Sequence, residues 1–264
     1  MPLTDFQRRL LALLAPARTP DSYLAGGAAV HFSPNSVRYS RDLDFFHDSE
    51  ERVAQAFSED RETLKANGYE VEVLLSQPGT IRTLVSRERE STRVDWAHDS
   101  AWRFMPPVKD DLGGYLLHDV DLAVNKVLAL AGRNEVRDFI DVLYLHREVL
   151  PLGALVWAAA GKDPGFTPVS LLEQLRRRGR YRPEEVARLD LAHPVDLVHA
   201  KQEWLRALEE ADAFIASRPH DEVGALYWSS SQKRFVAPAG EAAAEGDVTP
   251  HFGRPGGVLP TTSR

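Results

Sequence analysis

Two carboxylates one residue apart inside an apolar run restrict this chain more than any other feature. In the stretch RYSRDLDFF, Arg38 to Phe46, Asp42 and Asp44 flank Leu43, with Phe45 and Phe46 behind. Such alternation is the period of a strand, in which successive side chains point to opposite faces. Asp42 and Asp44 then share one face, and Leu43 and Phe45 share the other. Like charges that close are unfavourable unless something positive stands between them, and an unpaired buried carboxylate costs several kcal/mol, roughly the stability of a marginal domain. The stretch therefore calls for nearby arginines or a metal ion. The plainer outcome is an edge strand whose solvated acids pair with Arg38 or Arg41.

The flanking sequence gives the strand its neighbours. Residues 4–14 (TDFQRRLLALL) have helical apolar spacing, and Tyr23–Ala25 reads as a short strand running into Gly26 and Gly27, followed by a small helix over 28–32. Pro34 and Asn35 mark a turn before the acidic strand. Residues 49–66 form a polar helix closed by Asn67 and Gly68. YEVEVLL, TIRTLVS and STRVDWA then alternate as strands, with Glu70 and Glu72 on a solvated face. LLHDVDLAVNKVLALAG reads as a strand end and a helix stopped at Gly132, and a further helix covers 135–146. From Leu152 the pattern is helical, over 152–160, 168–178, 183–189 and 195–216. GALYWSSSQKRFVAP then reads as a hairpin, and residues beyond about 237 lack periodicity and are expected to be disordered. The expectation is an α/β (α+β) fold: a mixed sheet with flanking helices over 1–150, an α-helical domain over 151–218, and a hairpin with an unstructured tail over 219–264.

Composition narrows the class. The chain has no cysteine, which excludes a disulfide framework and thiolate-bound zinc and fits a reducing compartment. Charges interrupt the apolar run MPLTDFQRRLLALLAPA, and nowhere do 18 apolar residues follow one another, so a cytoplasmic protein without a membrane partner is expected. The net charge of −7 means that contact with nucleic acid must use a local basic patch. LRRRGRYRPEE, with arginines from Arg176 to Arg182 around Tyr181, is such a candidate, and is equally compatible with a solvated helix end. His31, His98, His118 and His146 show no metal-ligand spacing.

Taken together, Gly26, Gly27, Arg38, Ser40, Asp42, Asp44 and a third strand acid, Asp95 in RVDW, have the parts of a phosphoryl or nucleotidyl transfer site. Attack at the α-phosphorus of a nucleoside triphosphate needs about four negative charges neutralised and the attacking and leaving oxygens held in line, which divalent cations on carboxylates accomplish. Glycines after a strand let backbone N–H groups approach the phosphates.

A Gly-Gly pair, Asp-x-Asp on a strand and a single later Asp resemble the nucleotidyltransferase fold of the DNA polymerase β superfamily. YLAGGAAVHFSPNSVRYSRDLDFF, with DLAVNKVLALAGRNEVRDFIDVLYL downstream, resembles more narrowly the AbiEii/AbiGii toxin type of nucleotidyltransferase, over about residues 20–150. That resemblance implies Mg²⁺ (or Mn²⁺) held by Asp42, Asp44 and Asp95, with Asp95 orienting or deprotonating the nucleophile. It implies Arg38 and Ser40 on the triphosphate and Lys126 on its β- or γ-phosphate. Arg133, Arg137, Asp138 and Asp141 match a further run of the family, with Asp138 nearest the nucleotide and Asp141 able to pair with Arg137. The implied substrates are an NTP and a tRNA 3′ end, and the implied partner is an antitoxin. Other acceptors, namely an aminoglycoside, a lincosamide or a protein hydroxyl, and a non-catalytic interaction module are the alternatives.

Overall fold

A computed structural model describes residues 3–32, 36–238 and 247–260. The acidic stretch is the strand β2 (Asp42–His47), at the centre of a mixed seven-stranded sheet. It pairs antiparallel with β1 (Ser22–Ala25) and parallel with β5 (Glu90–His98). Beyond β5 lie β4 (Thr80–Arg87) and the edge strand β3 (Glu70–Gln77), where Glu70 and Glu72 are exposed. On the other side β1 meets β8 (Gly114–Leu116), which pairs with β7 (Val108–Asp110).

The alternation in β2 decides what each face of the sheet carries. Leu43 and Phe45 are fully buried. They lie on the face covered by α1 (Asp5–Leu14) and α3 (Glu50–Ala66), where Trp96 of β5 packs on Phe45 and Phe57 and donates to Asp60 of α3 at 2.7 Å. Thr4 and Gln7 cap α1 reciprocally, and Ser49 caps α3. The opposite face carries Asp42, Asp44 and Phe46. Around it stand α2 (Gly26–Val30), α4 (Asp119–Gly132) and α5 (Val136–Glu148).

Helices continue with α6 (Leu152–Lys162), α7 (Pro168–Arg176), α8 (Pro183–Val186) and α9 (Leu197–Ala216). Nearly every residue of α6 is buried, as an all-round apolar helix must be. One hydrophobic cluster runs through the sheet and these helices, from Leu3 to Phe235.

Three expectations are corrected. The helix placed at 28–32 begins at Gly26. The helix placed at 183–189 makes only one turn, because the chain after it is diverted to the irregular segment leading into β2. There Tyr39 N–H donates to the Asp190 carbonyl at 2.7 Å and Ala192 N–H to that of Val37 at 2.9 Å. The hairpin β9 (Ala225–Ser229) and β10 (Arg234–Val236) forms as read, but the tail gains a third strand, β11 (Val248–Phe252), against β9. A short strand β12 (Arg254–Pro255) then pairs with β6 (Trp102–Arg103). The buried residue of β11 is His251, bonded to the Phe104 carbonyl at 3.0 Å, so the segment carries no hydrophobic alternation to read. The turn at Pro34 and Asn35, and residues 239–246 and 261–264 of the tail, lie outside the described residues. Among the described residues no helix is long and apolar enough to cross a membrane.

Candidate active site

Register places the three strand acids side by side. Asp44 is the direct cross-strand partner of Asp95 in the parallel β2–β5 pair, and Asp42 that of Arg93. Residues opposite one another in a ladder share a face, so Asp42, Asp44, Asp95 and Arg93 all point to one side. They line a cleft of about 190 Å³ with Gly26, Gly27, Arg38, Arg82, Lys126, Arg133 and Arg137. Larger clefts of about 430 and 730 Å³, beside Val108 and beside Tyr39, carry neither Asp44 nor Asp95.

Arginine meets two of the acids. Arg93 contacts Asp42 and stands 3.5 Å from Asp95, Arg137 stands 3.5 Å from Asp42, and Arg82 stands 2.8 Å from Asp95. Asp44 has no hydrogen bond or ion pair among the described residues; burial and the Asp42 charge push its carboxyl up to about 6. Burial also acts on Asp42, but Arg93 and the Ser40 hydroxyl outweigh it and hold the carboxyl below its usual range. Among the described residues no group of three acidic or histidine side chains is placed to hold a metal ion.

The two glycines make room for these groups. Gly26 has a φ of +62°, and a Cβ there would stand 2.0 Å from Asp44 Oδ2. A Cβ on Gly27 would stand 2.9 Å from both Arg38 Nη2 and Ser40 Oγ. Ser40 does not open onto the cleft; its hydroxyl donates to Asp42 Oδ1 at 2.9 Å and holds that carboxylate in place.

Behind the cleft wall lies a buried ionic network. Asp141 accepts from Arg38 Nε at 2.6 Å, Arg38 Nη2 at 2.7 Å, Lys126 Nζ at 2.7 Å and His31 Nε2 at 2.7 Å, which fills its lone pairs. Since a carboxylate only accepts, His31 carries its proton on Nε2, and its Nδ1 takes the Ser36 hydroxyl. Burial opposes the Asp141 charge, but Lys126 and Arg38 hold the carboxyl well below the usual range. Asp138 accepts from Arg133 Nε at 2.6 Å and Lys126 Nζ at 3.1 Å.

The anticipated residues therefore separate into two layers. Asp42, Asp44, Asp95, Lys126, Arg38 and the glycines reach the cleft. Asp138, expected nearest the nucleotide, is fully buried behind Lys126 and Arg133, and Asp141 pairs with Arg38 and Lys126, not with Arg137. Arg82 and Arg93 also line the cleft, beyond the residues expected there. Both carry a legible signal: Arg93 is two residues before Asp95 on one strand, and Arg82 pairs with Asp95 across the β4–β5 ladder.

The arginine run is absorbed by structure in part. Arg176 pairs with Glu173 and Asp212, and Arg178 Nε donates to the Leu130 carbonyl at the end of α4. Tyr181 is buried against Phe139 and has no face for a base to stack on. Arg177, Arg180 and Arg182 are exposed. His118 caps α4, and His146 Nδ1 accepts from Leu152 N–H at 2.9 Å, so both are structural.

Comparison with known proteins follows this geometry. Residues 8–225 match the family described as the nucleotidyl transferase AbiEii toxin of type IV toxin–antitoxin systems. The fold is similar to MenT4, a nucleotidyltransferase toxin from Mycobacterium tuberculosis, with a TM-score of 0.54, 17% identity and coverage of 82% of this chain and 83% of that one. It is also similar to a candidate nucleotidyltransferase from H. pylori, with a TM-score of 0.50, 15% identity and coverage of 81% and 96%. At such identities the likeness speaks for the fold. No curated protein sequence matches the chain. Because the family match spans most of the sequence and the mixed sheet agrees with it, the chain belongs to the AbiEii family and is a nucleotidyltransferase toxin of a toxin–antitoxin system.

Proposed function

We propose that the protein transfers an NMP from an NTP to an RNA hydroxyl, a tRNA 3′ end by family, with Mg²⁺ or Mn²⁺ on Asp42, Asp44 and Asp95. The observation that carries this reading is the trio of carboxylates on one sheet face inside a ring of arginines. Asp44, without an ion pair among the described residues and with a raised proton affinity, suits a cation, and a donor set of carboxylate oxygens suits a hard one. When bound, the cation neutralises phosphate charge and holds the reacting oxygens in line.

The chain's own residues supply the rest. Lys126, Arg133 and Arg137 offer positive charge to the triphosphate, while Asp138 and Asp141 fix the first two from behind. Asp95 accepts the proton of the acceptor hydroxyl as that oxygen bonds to the α-phosphorus and pyrophosphate leaves. An arginine-lined mouth favours an anionic acceptor over an aminoglycoside, and the family supplies an antitoxin as protein partner.

The test is incubation with each α-labelled NTP and Mg²⁺ alongside separate RNA, protein and small-molecule pools. Label is expected in RNA and absent with Asp42→Asn and Asp44→Asn. Label in another pool overturns the acceptor, and wild-type rates in both variants overturn the site.

A further inference from the structure

Arg93 stands between two of the three acids. It contacts Asp42 and its Nε lies 3.5 Å from Asp95, with Arg137 and Arg82 completing the pairs from α5 and β4. These side chains crowd the cleft to about 190 Å³, below the roughly 300 Å³ at which small-molecule pockets begin. A polyphosphate seated against the acids meets these guanidinium groups first. A carboxylate engaged by a guanidinium is also not free to ligate a cation, so the arginine and the ion compete for the same oxygens. Arg93 is the one that bridges two of the acids: Arg82 and Arg137 meet one each, and its half-exposed side chain has room to turn, whereas Arg38 is buried and held by Asp141 at two nitrogens.

We propose that Arg93 is an exchangeable counter-charge. In the free enzyme it holds Asp42 and Asp95; when a divalent cation arrives with the nucleotide it yields those carboxylates and turns its guanidinium to the polyphosphate. The inference rests on the cation reading above. Its consequence is coupling: the cation alone binds weakly, because it must displace Arg93 with nothing to receive it, and a polyphosphate supplies that receiver. Cation and polyphosphate then bind with positive cooperativity. Asp44, unpaired, is the oxygen donor open to the ion before any exchange.

The test uses the full chain and measures Mn²⁺ binding by electron paramagnetic resonance, alone and with inorganic tripolyphosphate, which removes any base preference. Arg93→Gln is expected to bind Mn²⁺ alone about tenfold or more tightly than wild type, and tripolyphosphate with saturating Mn²⁺ about tenfold or more weakly. Arg93→Lys keeps the charge without the fork and falls between for Mn²⁺. Mn²⁺ is expected to raise the unfolding temperature of Arg93→Gln more than that of wild type, which also reports that the variant is folded. If Arg93→Gln binds Mn²⁺ no more tightly than wild type while Asp44→Asn abolishes binding in both, the cation reading stands and the exchange is wrong. If wild type and Arg93→Gln both fail to bind Mn²⁺, or Asp44→Asn leaves binding unchanged, the cation reading falls and the exchange falls with it.

Discussion

Asp44 is the cleft carboxylate with no hydrogen bond or ion pair among the described residues, and burial and Asp42, outweighing Lys126 and Arg93, raise its proton affinity. A group kept in that state costs stability at neutral pH, so function and stability should part company when it is removed. Asp44→Asn is expected to lose at least about 10³-fold in transfer rate while gaining about 1–3 kcal/mol of stability at pH 7.5 without divalent ions; activity assays and urea titration check the two halves. A second residue carries a pH signature. His47 is fully buried with neither ring nitrogen hydrogen-bonded, and burial, with Arg18 and Arg52, lowers its pKa from 6.5 to about 3. Between those values the unfolded chain takes the extra proton. The stability is therefore complete above pH 6.5 and is lost as the pH falls. Relative to His47→Gln, wild type is expected to lose about 2 kcal/mol between pH 7.5 and pH 5, read by chemical denaturation at both. None of this is visible at His47 in the sequence, where nothing shows that helix α3 and Arg18 close over it. The acids were legible because period two in DLDFF forces them onto one face. Arg93 and Arg82 follow from the same rule, but only once the β2–β5–β4 order is known.

At the scale of elements, the active face depends on close approach between β2 and the start of α2. Gly26 is required twice, by its left-handed φ and by the Asp44 carboxylate lying where a Cβ would be. Gly26→Ala is expected to cost about 1–3 kcal/mol and to displace Asp44, lowering the transfer rate in the fraction that remains folded; thermal unfolding and rate per folded molecule separate the effects. Asp141 ties α5 to α4 through Lys126 and to the segment entering β2 through Arg38. Asp141→Asn leaves both cations under-compensated in a buried site and is expected to cost about 3–5 kcal/mol, measured by denaturation. Element types were readable wherever periodicity ran long, as in α3, β4, β5 and α9. It failed at α8, whose last expected turn gives way to long-range pairing with Val37 and Tyr39, and at β11, where a histidine occupies the inward position. Both are decided by contacts distant in sequence, which local propensity does not encode.

Across the whole molecule, a chain of net charge −7 concentrates arginines around one acidic centre. The overall field repels nucleic acid, so phosphate is drawn by local charge acting at short range, at that mouth and at the exposed Arg177, Arg180 and Arg182. The helices beyond Pro151 share the sheet's hydrophobic cluster, so the cleft is braced on one side by α4 and α5 and, behind them, by α6. This arrangement stands or falls with the three carboxylates acting as one cation site. The most direct measurement is a crystal structure with Mn²⁺ and a non-hydrolysable NTP, read by anomalous scattering. An anomalous peak bonded to Asp42 and Asp44 is expected, within reach of Asp95 and of the phosphates, with Arg93 turned away from the acids. Phosphates seated in the cleft with no peak there, or a peak ligated by other residues, would contradict it.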